Sequence, residues 1–165
     1  MAKVNRERKF ITELKKSFAM HSQTFFHKIS DMPHFAGMTS RFDMEKPFDA
    51  FAIYSGMGIA IEAKSFKDYQ AFGMRHLRPC QEKGLTAVHA AFGHAYVFLN
   101  VRRNSNKSLQ VKRVNELYIF EWEWLFLRLS KSSIKKKELE DLPSITGKKG
   151  VFDLSGFFEC LTLKK

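Results

Sequence analysis

Residues 47–64 read PFDAFAIYSGMGIAIEAK, and the fold turns on this stretch. Phe48 to Tyr54 is apolar apart from Asp49. Gly58 to Lys64 is a second short apolar run, and Ser55-Gly56-Met57-Gly58 lies between them as a turn signal. Two such runs joined by a Gly-containing turn predict a β-hairpin. Side chains alternate along a strand, so Ala60, Glu62 and Lys64 share one face and Ile59, Ile61 and Ala63 take the other. Asp49 near the start of the first strand and Glu62 near the end of the second then meet at one end of the hairpin. Two carboxylates and an ammonium beside an apolar sheet cost solvation. A divalent cation between the carboxylates offsets that cost, because Mg²⁺ takes oxygen ligands from one or two of them and keeps several waters.

This arrangement resembles the core of the PD-(D/E)xK nuclease superfamily. Pro47, Phe48 and Asp49 match its first half, and Glu62-Ala63-Lys64 its second. Phe48 is a departure, because it sets the acid one residue later than the strict pattern. An acid followed by Glu-x-Lys also suits a solvated strand end, so the rest of the chain has to decide between the two.

The chain has 165 residues, which predicts one domain with a proper core. Hydrophobic residues make up 44%, and Phe occurs 17 times, so a Phe-rich core is expected. Lys and Arg outnumber Asp and Glu by 28 to 17, a net charge of +11. That excess points to a polyanionic partner, most simply nucleic acid. No basic amphipathic helix with a lipid face stands out, nor any long apolar run or signal peptide, so no membrane is expected as a partner and a cytoplasmic protein is expected. Cys80 and Cys160 form no CxxC and are expected reduced.

Phe10, Ile11, Leu14, Phe18, His21, Phe25 and Ile29 recur at helical spacing and predict one long helix from Asn5 to about Ile29. Arg6, Arg8, Lys9, Lys15 and Lys16 make its surface basic. Glu13 beside the apolar stripe suits a surface partner for Arg6, Lys9 or Lys16, or a third carboxylate reaching the metal. Ser30 to Lys46 is a connector in which His34, Thr39, Ser40 and Arg41 are candidates for phosphate contact. Arg75 to about Phe92 predicts a helix whose regular part starts near Arg78, with Pro79 and Gln81 in its first turn. Ala95 to Val101 predicts a strand, followed by Arg102-Arg103 and a polar loop. Leu117 to Phe120 is a further strand, and a helix is expected from about Glu121. Lys131 to Lys137 suits a solvated or DNA-facing basic run. Asp153 is expected to cap a last helix.

In this order the chain resembles the RecU-type and archaeal Hjc-type Holliday junction resolvases, most strongly over Pro47 to Val101. The hairpin, Gln81 in the next helix and AYVFLNV match the family's order of acid, E-x-K, helix glutamine and closing strand. Ser132-Ser133-Ile134 also looks RecU-like. The connector before Pro47 is shorter than the stalk region of RecU-type enzymes, nearer to Hjc-type enzymes or a compact phage version. The resemblance implies an α/β fold with a restriction-endonuclease-like core, a central mixed β-sheet flanked by helices. It implies a single nuclease domain over 1–165, with a core at about 5–101 and a C-terminal extension at about 111–165 packed on it. The implied activity is Mg²⁺-dependent cleavage of four-way DNA junctions by a homodimer, with Mn²⁺ as a substitute. Asp49, Glu62 and Glu13 are the implied metal ligands, Lys64 the group that orients water and stabilises charge, and Gln81 its support. Arg6, Arg8, Lys9, Thr39, Ser40, Arg41, Arg75, Arg102 and Arg103 are the candidate DNA contacts. Two rivals stand beside this reading: another PD-(D/E)xK repair or restriction-type nuclease, and a non-catalytic DNA-binding protein whose acids are structural.

Overall fold

The computed structural model describes residues 2–30, 46–103 and 114–163. In chain order they form α1 (Ala2–Phe18), β1 (Thr24–Lys28), β2 (Ala50–Tyr54), β3 (Met57–Phe66), α2 (Pro79–Ala90), β4 (His94–Arg103) and β5 (Val114–Glu121). Then come α3 (Trp122–Lys131), α4 (Lys136–Asp141), β6 (Ile145–Thr146) and α5 (Ser155–Thr162). The strands form one sheet in the order β1-β2-β3-β4-β5-β6. Every pairing is antiparallel except β3 with β4, which the α2 crossover makes parallel. This is the expected mixed sheet flanked by helices. No helix among the described residues is long and apolar enough to cross a membrane.

The decisive hairpin forms as expected. Ser55 and Gly56 both take positive φ, 47° and 83°, the signature of a two-residue type I′ turn whose twist matches the strands it joins. The turn is tighter than the four residues expected, since Met57 and Gly58 already belong to β3. Ala50 pairs with Ile61 and Tyr54 with Met57. In that register Ile59, Ile61 and Ala63 face a core built with Phe10, Leu14 and Phe18 of α1 and Phe158 of α5. Ala60 faces the opposite core, with Leu85 of α2 and Trp122 and Leu125 of α3. β4 is buried from Ala95 to Val101, as a central strand covered on both faces must be.

One element departs from expectation. The long first helix stops at Phe18, and residues 24–28 are β1. The hydroxyl of Thr24 donates to the carbonyls of Phe18 (2.7 Å) and His21 (2.8 Å), ending the helix, and Gln23 turns the chain with φ 63°. The strand then pairs with β2, Phe26 opposite Ala52, and Phe26 packs on Phe18 at 5.0 Å. The apolar residues after Phe18 fit a helical period by chance, and pairing with a neighbouring strand overrides it.

The C-terminal half follows expectation more closely. α3 begins directly after β5, and its tryptophan Trp122 is buried with its Nε1 donating to Thr86 Oγ1 at 3.1 Å. Within the basic run, Ile134 is buried and exchanges two backbone hydrogen bonds with Phe72, while Lys131, Lys135, Lys136 and Lys137 remain exposed. The N-cap of α5 is Leu154 rather than the expected Asp153; Asp153, one residue earlier, accepts at Oδ1 from Ser155 N–H (3.0 Å) and Oγ (2.7 Å), which holds its carboxyl below the ordinary pKa.

Candidate active site

Asp49 is set by backbone on both sides. Its N–H donates to Ile61 O (3.0 Å), its carbonyl accepts from Ile29 N–H (2.9 Å), and its Oδ2 accepts from Ala63 N–H (3.1 Å). The carboxylate is thereby clamped onto β3, beside Glu62. Upstream, Pro47 lies against Gly84 of α2 so closely that a Cβ there would meet Pro47 Cβ at 2.3 Å. Glycine at 84 is what lets the approach to Asp49 rest on the helix.

Glu62 is fully buried, 0% exposed. Lys64 Nζ lies 2.7 Å from its Oε1, but off the direction of a hydrogen bond. Among the described residues, neither oxygen of Glu62 accepts one. Burial pushes the Glu62 carboxyl up to about 8; the charge of Asp49 adds to this, and Lys64 opposes it. Lys64 donates to Gln81 Oε1 at 3.0 Å. The same oxygen accepts from Arg78 N–H at 2.9 Å, closing the first turn of α2 behind Pro79. Gln81, buried in that first turn, thus ties the lysine to the start of the helix.

These four side chains line one open cavity of about 480 Å³. Its wall is rich in cations: Arg8 from α1, Lys28 from the end of β1, Lys46, and Arg75 and Arg78 before α2. Arg8 and Arg75 belong to the expected DNA contacts; Lys28, Lys46 and Arg78 do not. The structure therefore brings Asp49, Glu62, Lys64 and Gln81 together, and with them two of the expected arginines.

Glu13 requires a correction. It is buried, but it does not line the cavity; it pairs with Arg102, which also donates to Asn115 Oδ1 at 3.1 Å. The α1 carboxylate on the cavity wall is Glu7. Glu7, Ile11, Leu14 and Phe18 follow one helical stripe, so the acid that ends the apolar stripe toward the helix start was readable from spacing. Glu13 falls between Phe10 and Ser17 on a different line and faces β4 instead. Arg102 is consequently engaged by Glu13 and Asn115, and Arg103 pairs with Asp68 at 3.3 Å and lies over the Tyr69 ring. Arg6, Lys9, Arg102 and Arg103 do not line the cavity. His34, Thr39, Ser40 and Arg41 lie outside the described residues.

The donor set fits a divalent cation. A buried carboxylate with both oxygens unsatisfied is the kind of atom that a hard cation completes. Among the described residues, no three Asp, Glu, His or Cys side chains cluster closely enough to hold an ion alone. Mg²⁺ is commonly held by one or two carboxylates plus water, and Asp49 and Glu62 are the two carboxylates that stand side by side here.

Fold and site together define a mixed α/β protein with an acidic pair, a lysine and a helix glutamine in a cation-lined cavity. No family model and no curated protein matches the chain. Among solved structures it is similar to Hjc of Archaeoglobus fulgidus, described as a Holliday junction resolvase from an archaeal hyperthermophile. The two share 16% identity over 70% of this chain and 75% of that one, with a TM-score of 0.43.

Proposed function

We propose that residues 1–165 act as one nuclease domain, a metal-dependent endodeoxyribonuclease that resolves four-way DNA junctions. The observation that carries this reading is the buried, unsatisfied Glu62 carboxylate beside Asp49, with Lys64 at 2.7 Å and a cation-rich cavity wall around them. A structural acid pair in a DNA-binding protein would not need two carboxylates buried side by side with a lysine beside Glu62 on the cavity wall.

Asp49 and Glu62 would hold Mg²⁺ or Mn²⁺, which when bound activates water and polarises a phosphoryl oxygen. Lys64 presents a compact positive charge to the charge that develops on the phosphate. Gln81 holds that ammonium from behind with an uncharged carbonyl oxygen. Arg8, Lys28, Arg75 and Arg78 draw the phosphate backbone to the cavity mouth. The preference for a branched substrate follows from the resemblance of Pro47 to Val101 to the junction resolvases.

A four-way junction is two-fold symmetric in its exchanging strands, so paired incisions ask for two copies of the site. The outer end of the sheet offers apolar surface for a second copy: Phe25 (55% exposed), Phe51 (37%) and Ile53 (36%) share one face of β1 and β2. Light scattering is expected to give the mass of a dimer. The direct test of function is a labelled four-way junction and a matched linear duplex, each incubated with Mg²⁺ and with EDTA. Junction cleavage that requires Mg²⁺ is expected; cleavage of duplex in preference to the junction would assign a repair or restriction-type role, and no cleavage with any divalent metal would leave a binding protein.

A further inference from the structure

We infer that a duplex arm of the DNA runs from the cavity along a phosphate-binding track that crosses the exposed face of α1 and ends on Lys148 and Lys149, in the turn after β6. The inference rests on the reading that the cavity takes DNA. An α-helix turns about 100° per residue, so Lys9, Thr12 and Lys16 fall between Arg8 on one side of α1 and Glu13 on the other. Arg8 stands on the cavity wall, and Arg8, Lys9, Thr12 and Lys16 are all exposed. Glu13 is the acid at the far edge of that arc, and it is buried against Arg102. Among the described residues, none of Arg8, Lys9 and Lys16 pairs with a carboxylate. No acid alternates with the bases along the arc, as it would on a salt-bridged, solvated helix face.

The turn is fastened where the arc ends. Lys148 and Val151 exchange two backbone hydrogen bonds, at 2.9 and 3.0 Å, and between them Lys149 and Gly150 take φ 51° and 78°. A Cβ on Gly150 would lie 3.5 Å from Glu13 Oε1, which puts the turn on the Glu13 side of α1. Phe152 N–H donates to Ser17 Oγ at 2.9 Å, and its ring meets Phe10 edge-on at 6.0 Å. At the other foot, Gly147 N–H donates to the Asn115 carbonyl of β5 at 2.7 Å. The turn is thus pinned to α1 and β5, with Lys148 and Lys149 exposed at its tip and neither paired with a carboxylate among the described residues. A two-residue turn with paired positive φ favours Asn, Asp or Gly at its first position. Lys149 stands there against that preference, so local structure does not account for the ammonium. A phosphate backbone is a regularly spaced anion that answers such a run of cations without any base-specific contact. DNA is favoured over an acidic peptide because the run begins on the cavity wall, at Arg8.

Binding of a labelled four-way junction to the whole chain, measured by fluorescence anisotropy in EDTA across a salt series, tests the track. Lys148→Gln with Lys149→Gly removes both charges from the turn and gives position 149 a residue suited to its φ. Lys9→Gln with Lys16→Gln removes two charges from α1. Lys135→Gln with Lys137→Gln makes the same change in net charge at α4, which packs through Leu139 on the opposite face of the sheet. Arg75→Ala reports on the cavity wall, and circular dichroism checks each fold. At about 0.9 per phosphate contact, each double variant on the track is expected to reduce the log–log salt slope by about two units, while the α4 variant keeps the wild-type slope. A wild-type slope in either track variant, with Arg75→Ala impaired, overturns the track and leaves the cavity reading standing. An equal loss in the α4 variant makes net charge the cause and overturns the track as well. Unchanged junction binding in the track variants together with lost binding to polyglutamate assigns the surface to an acidic protein instead. No junction binding by the wild type overturns the cavity reading and the track together.

Discussion

Glu62→Gln separates the electrostatics of the site from its chemistry. In the metal-free fold the Glu62 carboxyl is pushed from an ordinary value of 4.5 up to about 8, first by burial and then by Asp49. In the unfolded chain the same group loses its proton near 4.5. Between those values the folded state holds a proton that the unfolded state has released, so stability falls as pH rises. The contribution is fully present below pH 4.5 and gone above the folded value. A shift of that size corresponds to about 5 kcal/mol in all, of which about 3–4 kcal/mol falls between pH 5 and pH 8. Glutamine keeps the shape and never ionises. The two proteins are therefore expected to match at pH 5 and to diverge until the variant is the more stable at pH 8. Urea denaturation in EDTA at several pH values measures this. Mg²⁺ favours the ionised carboxylate, so it is expected to restore wild type at pH 8 and to do little for the variant. Wild type and Glu62→Gln losing stability in parallel from pH 5 to 8 would refute the burial argument.

Three further outcomes follow from the contacts. Gly84→Ala places a Cβ 2.3 Å from Pro47 Cβ and 2.7 Å from its carbonyl oxygen; it is expected to cost about 1–3 kcal/mol by thermal melting despite alanine's better helix propensity, and to slow cleavage by moving Asp49. A gain in stability would mean that Pro47 does not rest on α2. Glu13→Gln is expected to lower stability by about 1–3 kcal/mol through its buried pairing with Arg102, with the cleavage rate unchanged. Lost cleavage at wild-type stability would return Glu13 to the site. Arg75→Ala, on the cavity wall, is expected to weaken binding to all junction sequences alike and to reduce the log–log salt slope by about one unit; a change confined to one arm sequence would argue against phosphate contact.

The hairpin and its acids were legible because their signal is local. Alternation over Gly58 to Lys64 sets which side chains share a face, and the Ser55-Gly56 turn sets the pairing. The place of Gln81 in the first turn was legible because Pro79 marks the helix start, whereas its part in the site came from the resemblance. The expected helix acid, Glu13, lies off the cavity that Glu7 lines; both stand on α1, and only Glu7 continues the stripe of Ile11, Leu14 and Phe18. β4 presents Arg102 to Glu13 instead. β1 was missed because its residues fit a helical period and its partner strand is remote in sequence. The cations Lys28, Lys46 and Arg78 were missed because each borders a different element, and only the folded sheet gathers them.

The site also depends on a turn that touches none of it. Glu62 and Lys64 face Gln81 only while Ala60 lies opposite Phe51 and Ile61 opposite Ala50. A slip of one residue would send both charged groups into the core of Phe10, Leu14 and Phe18 and turn Ile61 and Ala63 toward α2. Two features hold the register. Ser55 and Gly56 supply the paired positive φ values of a type I′ turn at one end, and Ala63 N–H bonded to Asp49 Oδ2 locks the other. The second lock uses an oxygen of the same acid that would bind the metal. The fold tolerates the buried acidic pair because Asp49 is bonded to Ala63 N–H and the raised Glu62 carboxyl keeps its proton at neutral pH.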